Sequence, residues 1–258
     1  ATRELRVAQA EATRSEKLAS VGLLAAGIAH ELNNPLTGVL TFAHLVRNEL
    51  EEGSPQADDL DLVIQETKRC AAIIRRLLDF AREKTPEKSF ADVNQLIDEC
   101  AQLVSQSAHL ADIVIDTRLE DKLPPVWMDA DLVKQVIMNM LVNAQHAIGR
   151  NGTIFIGTRL SGDCPGAAGA DADSEMVEIT IRDDGCGIEE ENLHRIFDPF
   201  FTTKGVGKGT GLGLSVSHGT IAAHHGTIEV ESKVGEGTEF RICLPTDSGK
   251  TTDPENVA

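Results

Sequence analysis

The sequence predicts an α+β chain: a helical hairpin, then a unit that mixes strands with helices. Three observations carry this. Up to about residue 85, apolar and small residues recur every three or four positions with no strand pattern. From about residue 90 to 246, short strand-like runs are interleaved with amphipathic helical ones. The length of 258 residues suits one large domain or two modest ones, and either is long enough to bury a core.

In the first region Leu18, Val21, Ala25, Ile28, Leu32, Pro35, Val39, Phe42 and Val46 advance by three and four residues in turn, a heptad seam. Glu51-Glu52-Gly53-Ser54-Pro55 breaks it, and a second seam follows at Leu60, Ile64, Thr67, Ala71, Ile74, Leu78 and Ala81. A lone hairpin buries little, so two copies of this one, residues 18–85, are expected to dimerise into a four-helix bundle. Residues 1–17 continue as a charged helix with a weaker seam (Leu5, Ala8, Ala12) and read as the end of an upstream signalling helix. A start at Ala1 without a leader reads as an excised soluble piece of something longer.

Residues 86–91 read as a linker and 92–246 as the second domain. Helices are expected over 92–107 and 129–149, with Leu132, Val136, Met140 and Leu141 on the core side of the latter. Strands are expected over 112–119 and near 153–160, 176–183, 227–233 and 237–244, with short helices near 189–196 and 212–225. The Gly/Ala/Asp-rich stretch 161–175 reads as a loop without chemistry, and 247–258 as a flexible tail.

Composition narrows the function. With 24 Lys and Arg against 41 Asp and Glu, the net charge is -17, which repels nucleic acid and anionic membrane. Aromatic content is 3 %, too little for a base-stacking platform. No apolar run approaches the roughly 18 residues of a membrane span. The five cysteines (Cys70, Cys100, Cys164, Cys186, Cys243) are odd in number, scattered and without a C-x-x-C pair, which fits neither a disulfide framework nor a zinc site and suits a reducing cytosol.

Three stretches carry chemistry. Asp183-Asp184-Gly185-Cys186-Gly187-Ile188 follows a strand, placing a carboxylate that can accept from an amino group beside glycines that let backbone approach a flat ring. The same pattern is also a common turn. Gly205-Val206-Gly207-Lys208-Gly209-Thr210-Gly211-Leu212-Gly213 is a flexible loop feeding a helix N-terminus, where amides and the helix dipole favour phosphate. It is neither a P-loop nor a dinucleotide fingerprint. On the 129–149 helix, Asn139, Asn143 and His146 share one face, a spacing that suits oxygen ligation of Mg²⁺ together with phosphates. Alone, two such asparagines are ordinarily just solvated.

Together these stretches resemble the ATP-binding domain of the sensor histidine kinases, in the superfamily shared with gyrase, Hsp90 and MutL. The resemblance extends to the phenylalanine motif Ile196-Phe197-Asp198-Pro199-Phe200-Phe201-Thr202-Thr203-Lys204 and to Gly235-Glu236-Gly237-Thr238-Glu239-Phe240. It implies a two-layer α/β sandwich with a mixed sheet, the Bergerat fold, and ATP with Mg²⁺ as cofactors. It implies that Asp183 binds the adenine amino group, that Gly185, Gly187 and Ile188 line the adenine side, and that Asn143 ligates Mg²⁺, with Asn139 in a weaker role. Gly209, Thr210, Gly211, Leu212 and Gly213 fall in the phosphate-covering lid. Many family members carry Lys or Arg at the position of His146. Lys204 and Lys208 are the cations nearest the loop, and one of them is expected to reach the γ-phosphate.

An acceptor is then needed. His30 lies in Ala29-His30-Glu31-Leu32-Asn33-Asn34-Pro35, off the seam, with Glu31 adjacent as a proton acceptor and Asn34 one turn on. This H-E-x-x-N-P pattern resembles the histidine-kinase phosphoacceptor motif in its nitrogen-regulator form. It implies that His30 takes the γ-phosphoryl group, that Glu31 is the base, and that Asn34 orients water for dephosphorylating a partner. Pro35 leaves the carbonyl of Glu31 without its helical donor, so a kink is expected there. The implied partners are a second copy, the receiver domain of a response regulator, and an upstream sensor. The implied setting is the cytoplasmic portion of a larger protein, whose anchoring in the inner membrane is left open. A pseudokinase scaffold and a related ATPase or serine kinase are the competing readings.

Overall fold

A computed structural model describes residues 32–81, 86–162, 175–204 and 210–246. The chain divides into two compact units, Ala1–Lys84 and Thr85–Ala258. The expectations for the segment 1–17, the seam from Leu18 to Ile28, the kink at Glu31, most of the 161–175 loop and the tail lie outside the described residues.

In the first unit a helix covers residues 32–49 (α1) and a turn leads to α2, Pro55–Ala81. Ser54 Oγ accepts the Ala57 N–H at 3.3 Å, and Pro55 sits where a missing N–H costs nothing. Arg47 Nε, late in α1, donates to Asp61 Oδ1, early in α2, at 3.0 Å, so the two helices run antiparallel. The second seam packs as expected: Ile64, Thr67 and Ile74 are buried, with Leu60 and Ala71 half-buried. The first does not. Leu32, Val39, Phe42 and Val46 are exposed, and the stripe turned inward is Leu36, Leu40, Ala43 and Arg47. A bundle helix carries two apolar stripes, and the more regular one here is left open within a single chain.

The second unit runs β1 (Ser89–Ala91), α3 (Val93–Leu110), β2 (Ile113–Arg118), β3 (Val126–Met128), α4 (Ala130–Ile148), β4 (Gly152–Ser161), β5 (Met176–Asp183), α5 (Glu190–Leu193), α6 (Gly213–Ala223), β6 (Thr227–Lys233) and β7 (Gly237–Pro245). Five strands form one sheet in the order β2-β4-β5-β7-β6. β2 and β4 are parallel, with α4 in the crossover between them, and the other pairs are antiparallel. The mixed sheet and the single helical layer match the two-layer sandwich.

Alternation dictates the layering. Ile154 and Ile156 of β4, Ile179 and Ile181 of β5 and Ile242 of β7 pack against Val133, Val136, Ile137, Met140 and Leu141 of α4 and against α3. Leu132, expected in the core, is only half-buried; Val133 and Ile137 take that side. On the opposite face Phe155 lies under the guanidinium groups of Arg118 and Arg182, at 5.5 and 5.4 Å. Arg159 there holds the buried Glu178 through two 2.8 Å hydrogen bonds.

Residues 89–91 belong to the expected linker, yet they pair with β3. Just before them, the Glu87 N–H donates to Asp129 Oδ2 at 2.9 Å. The Lys88 ammonium donates to the carbonyl of Ala223, at the end of α6, at 2.7 Å.

Cys70, Cys100 and Cys186 are free, and burial pushes the Cys100 thiol up to about 11. Cys243 is disulfide-bonded, against the expectation from cysteine number and spacing. Among the described residues no helix is long and apolar enough to cross a membrane.

Candidate functional site

Helix α4 is the spine of the site. Asp129 caps it, Oδ1 accepting the Leu132 N–H at 3.1 Å, and its apolar stripe pins one side to the sheet. The other side presents Asn139, Asn143 and His146 in succession, each meeting a different part of the chain.

Asn139 Nδ2 donates to the carbonyl of Gly213 at 3.4 Å and to Ser217 Oγ at 3.5 Å, tying α4 to the start of α6. That helix has no side-chain cap at its N-terminus, so its first-turn N–H groups are available to an anion. Thr210 Oγ1 accepts the Leu212 N–H at 3.4 Å. Gly211 brings the returning loop against Phe200, with φ +65°.

One turn further on, Lys204 Nζ donates to Asn143 Oδ1 at 2.9 Å and lies 3.2 Å from His146 Nδ1. An ammonium only donates, so Nδ1 is the acceptor and the proton of a neutral His146 is on Nε2. Burial, reinforced by the Lys204 charge, lowers the His146 pKa. Burial also lowers that of Lys204.

At the end of α4 comes the loop after β5. Asp183 is buried; its Oδ1 accepts the Gly185 N–H at 2.9 Å, and the Thr238 N–H, opposite on β7, donates to the same carboxylate. Burial raises its pKa against the opposing pull of these two bonds. A carboxylate offers about four lone-pair positions, so capacity remains for an exocyclic amino group. The Cys186 N–H donates to the carbonyl of Ala147 at 3.0 Å, which seats the loop on α4. A Cβ on Gly185 would stand 2.6 Å from the carbonyl carbon of Ala147. On Gly187, at φ +71°, it would stand 2.1 Å from the carbonyl oxygen of Lys233. Both glycines are required by the protein's own backbone as well as by any flat ring. The Ile188 N–H donates to Ser232 Oγ at 2.8 Å.

These donors fit a magnesium nucleotide. Among the described residues no cluster of three His, Cys, Asp or Glu side chains is arranged to hold a metal, so a bare cation cage is absent there. Asn143 instead presents an amide oxygen that already attracts a cation, the ammonium of Lys204, beside amides suited to phosphate.

Of the residues expected from sequence, Asn143, His146 and Lys204 converge, Asn139 reaches Gly213, and Asp183 joins Gly185. Asn34 is exposed on α1. His30, Glu31, Lys208 and Gly209 lie outside the described residues. Sequence reasoning missed Thr238 and Ser217 as partners of Asp183 and Asn139. For Thr238 the signal is strand register; for Ser217 it is a serine one turn after Gly213.

Comparison with known proteins identifies the family. Residues 128–248 match the family model "Histidine kinase-, DNA gyrase B-, and HSP90-like ATPase", and residues 20–86 match the "His Kinase A (phospho-acceptor) domain". The sensor histidine kinase ZraS of Escherichia coli (strain K12) is 36 % identical over 243 residues, covering 94 % of this chain and 49 % of ZraS. The chain thus spans about half the length of that curated relative. The structure of histidine kinase ThkA in complex with response regulator protein TrrA aligns with a TM-score of 0.64 at 27 % identity, over 96 % of this chain and 68 % of that one. The catalytic domain of ThkA alone aligns with a TM-score of 0.52 at 31 % identity, over 62 % of this chain and 96 % of that one. With a phospho-acceptor model and an ATPase model in tandem, and a catalytic domain matched over nearly its whole length, the chain belongs to the histidine kinases.

Proposed function

We propose that the chain phosphorylates its own His30 from ATP and passes the group to an aspartate of a response-regulator receiver domain. The observation that carries this reading is the meeting of Asn143, His146 and Lys204 beside the uncapped start of α6, in a chain that also holds the H-E-x-x-N-P acceptor. Asp183 accepts from the adenine amino group, and the first turn of α6 with the lid residues Thr210 to Gly213 donates to phosphate. Asn143 would hold Mg²⁺, which would supply charge neutralisation to the triphosphate. A ring nitrogen of His30 bonds to the γ-phosphorus as the bond to the β–γ bridging oxygen breaks. ADP leaves and Glu31 takes the ring proton. Phosphoryl transfer asks little covalent help of a protein, so positioning and charge neutralisation do most of the catalysis.

The open α1 stripe at Leu32, Val39, Phe42 and Val46 supports a second copy as the bundle partner. The ThkA–TrrA complex supports a receiver domain as the phosphoryl acceptor. Asn34 is the residue that orients water for dephosphorylating that partner.

The test is incubation with γ-labelled ATP and Mg²⁺ followed by lability analysis. An acid-labile, base-stable label that disappears in His30→Ala is expected. No label with tight ATP binding points to a scaffold, and an acid-stable label or steady hydrolysis to a serine kinase or ATPase.

A further inference from the structure

We propose that Lys204 is a built-in stand-in for the metal: it occupies the Asn143 oxygen while no magnesium nucleotide is present, held there by His146, and moves onto the triphosphate when Mg²⁺ takes that oxygen. This deepens the nucleotide reading above and rests on it.

The geometry argues for it step by step. The site face of α4 carries two amides and a neutral imidazole, hence no cation of its own. Lys134, the lysine of that helix, is committed on another side to Glu99 at 2.7 Å. The positive charge comes instead from the segment after the phenylalanine motif, as Lys204 Nζ, 2.9 Å from Asn143 Oδ1. A half-buried ammonium requires acceptors, and among the described residues its hydrogen-bond partners are that amide oxygen and His146 Nδ1 at 3.2 Å. No carboxylate pairs with it among the described residues. An ammonium solvated only by neutral acceptors is available to leave for an anion, whereas one locked to a carboxylate is not. Mg²⁺ and an ammonium on one amide oxygen repel each other, so the metal's arrival expels Lys204, and the nearest negative charge is then the triphosphate. His146 touches no reacting atom in this account. It is a positioning residue that keeps the ammonium on Asn143 by offering a lone pair, a task an arginine or lysine at that place could not perform.

Calorimetry on the whole 258-residue chain, titrating the non-hydrolysable analogue AMPPNP in excess Mg²⁺ and again in EDTA, tests this. Wild type is expected to retain measurable metal-free binding, because Lys204 substitutes for the metal charge. Lys204→Met is expected to weaken metal-free binding by about tenfold or more beyond its effect in Mg²⁺. His146→Ala is expected to reproduce part of that selective loss and to add nothing in the Lys204→Met background. Lys204→Gln and melting curves separate a binding loss from a folding loss. Equal weakening in both media, or additive effects of the two substitutions, overturns the proposal. Asp183→Asn distinguishes this from failure of the nucleotide reading. If it abolishes binding while Lys204→Met acts equally in both media, Lys204 alone is misassigned. If wild type and Asp183→Asn are alike in failing to bind, the nucleotide reading falls, and the proposal with it.

Discussion

The backbone N–H of Asp129 donates to Nε2 of His224 across 2.9 Å, joining the residue that starts α4 to the residue that ends α6. The ring's other nitrogen, Nδ1, lies 2.7 Å from the carbonyl of Thr220. A carbonyl accepts and an N–H donates, so the buried imidazole is neutral with its proton on Nδ1.

Burial, with the charges of Lys88 and His225, lowers the His224 pKa against the opposing pull of Thr220 and Asp129. The unfolded imidazole titrates near its ordinary value of about 6.5. Below that value the unfolded chain binds a proton that the folded one refuses, so stability falls as pH drops from about 6.5 toward the lowered native value. Urea unfolding of the wild type between neutral pH and pH ~5.5 should show this loss. His224→Gln should start less stable and lose less with acid. Parallel pH profiles would remove His224 as the cause.

Asp183→Asn keeps an oxygen for the Gly185 and Thr238 N–H groups but replaces the charged acceptor. Hydrogen bonds to charged groups contribute roughly 1.5–3 kcal/mol, so nucleotide affinity should drop by roughly ten- to a hundredfold with little change in melting temperature. Because burial raises the Asp183 pKa, wild-type binding should also fail in acid at a higher pH than an ordinary carboxylate would require.

Glycine positions at the site should separate cleanly. Gly187→Ala forces a Cβ to 2.1 Å from the Lys233 carbonyl at φ +71°, and should cost more than about 1 kcal/mol. At Gly213, the first residue of α6, a Cβ would find its nearest neighbour in Asn139, at an ordinary contact distance of 3.6 Å. Gly213→Ala should be neutral or stabilising by up to about 1 kcal/mol, read by thermal unfolding.

On α1, Phe42 is exposed and Ala43 beside it is buried. Phe42→Glu should shift the chain toward monomer in sedimentation while leaving its helicity intact. Ala43→Glu should disrupt the hairpin itself. A wild type that already sediments as a monomer would refute the dimer.

Much of this was legible in the sequence because it is local. The α2 seam, the helix that starts near 129, the five long strands and the face shared by Asn139, Asn143 and His146 all follow from periodicity. The α1 seam is regular in the sequence, but a bundle helix has two apolar faces and spacing does not say which of them meets α2. The strands at 89–91 and 126–128 are only three residues each, too short to alternate visibly. Thr238 on Asp183 and His224 under Asp129 are contacts made by tertiary folding, which no local pattern encodes. Lys204 was one of two candidate cations in the sequence; its contact with Asn143 required the fold.

The segment at Glu87 and Lys88 anchors the point where the chain enters the second unit. Its chain enters through a hydrogen bond to the first residue of the spine helix and a charged one to the last turn of the helix that opens at the lid. Residues 87 and 88 are thereby fastened to the start of α4 and the end of α6. The same two helices carry Asn143 and Gly213 farther along, so the entry segment is tied to the elements that build the site.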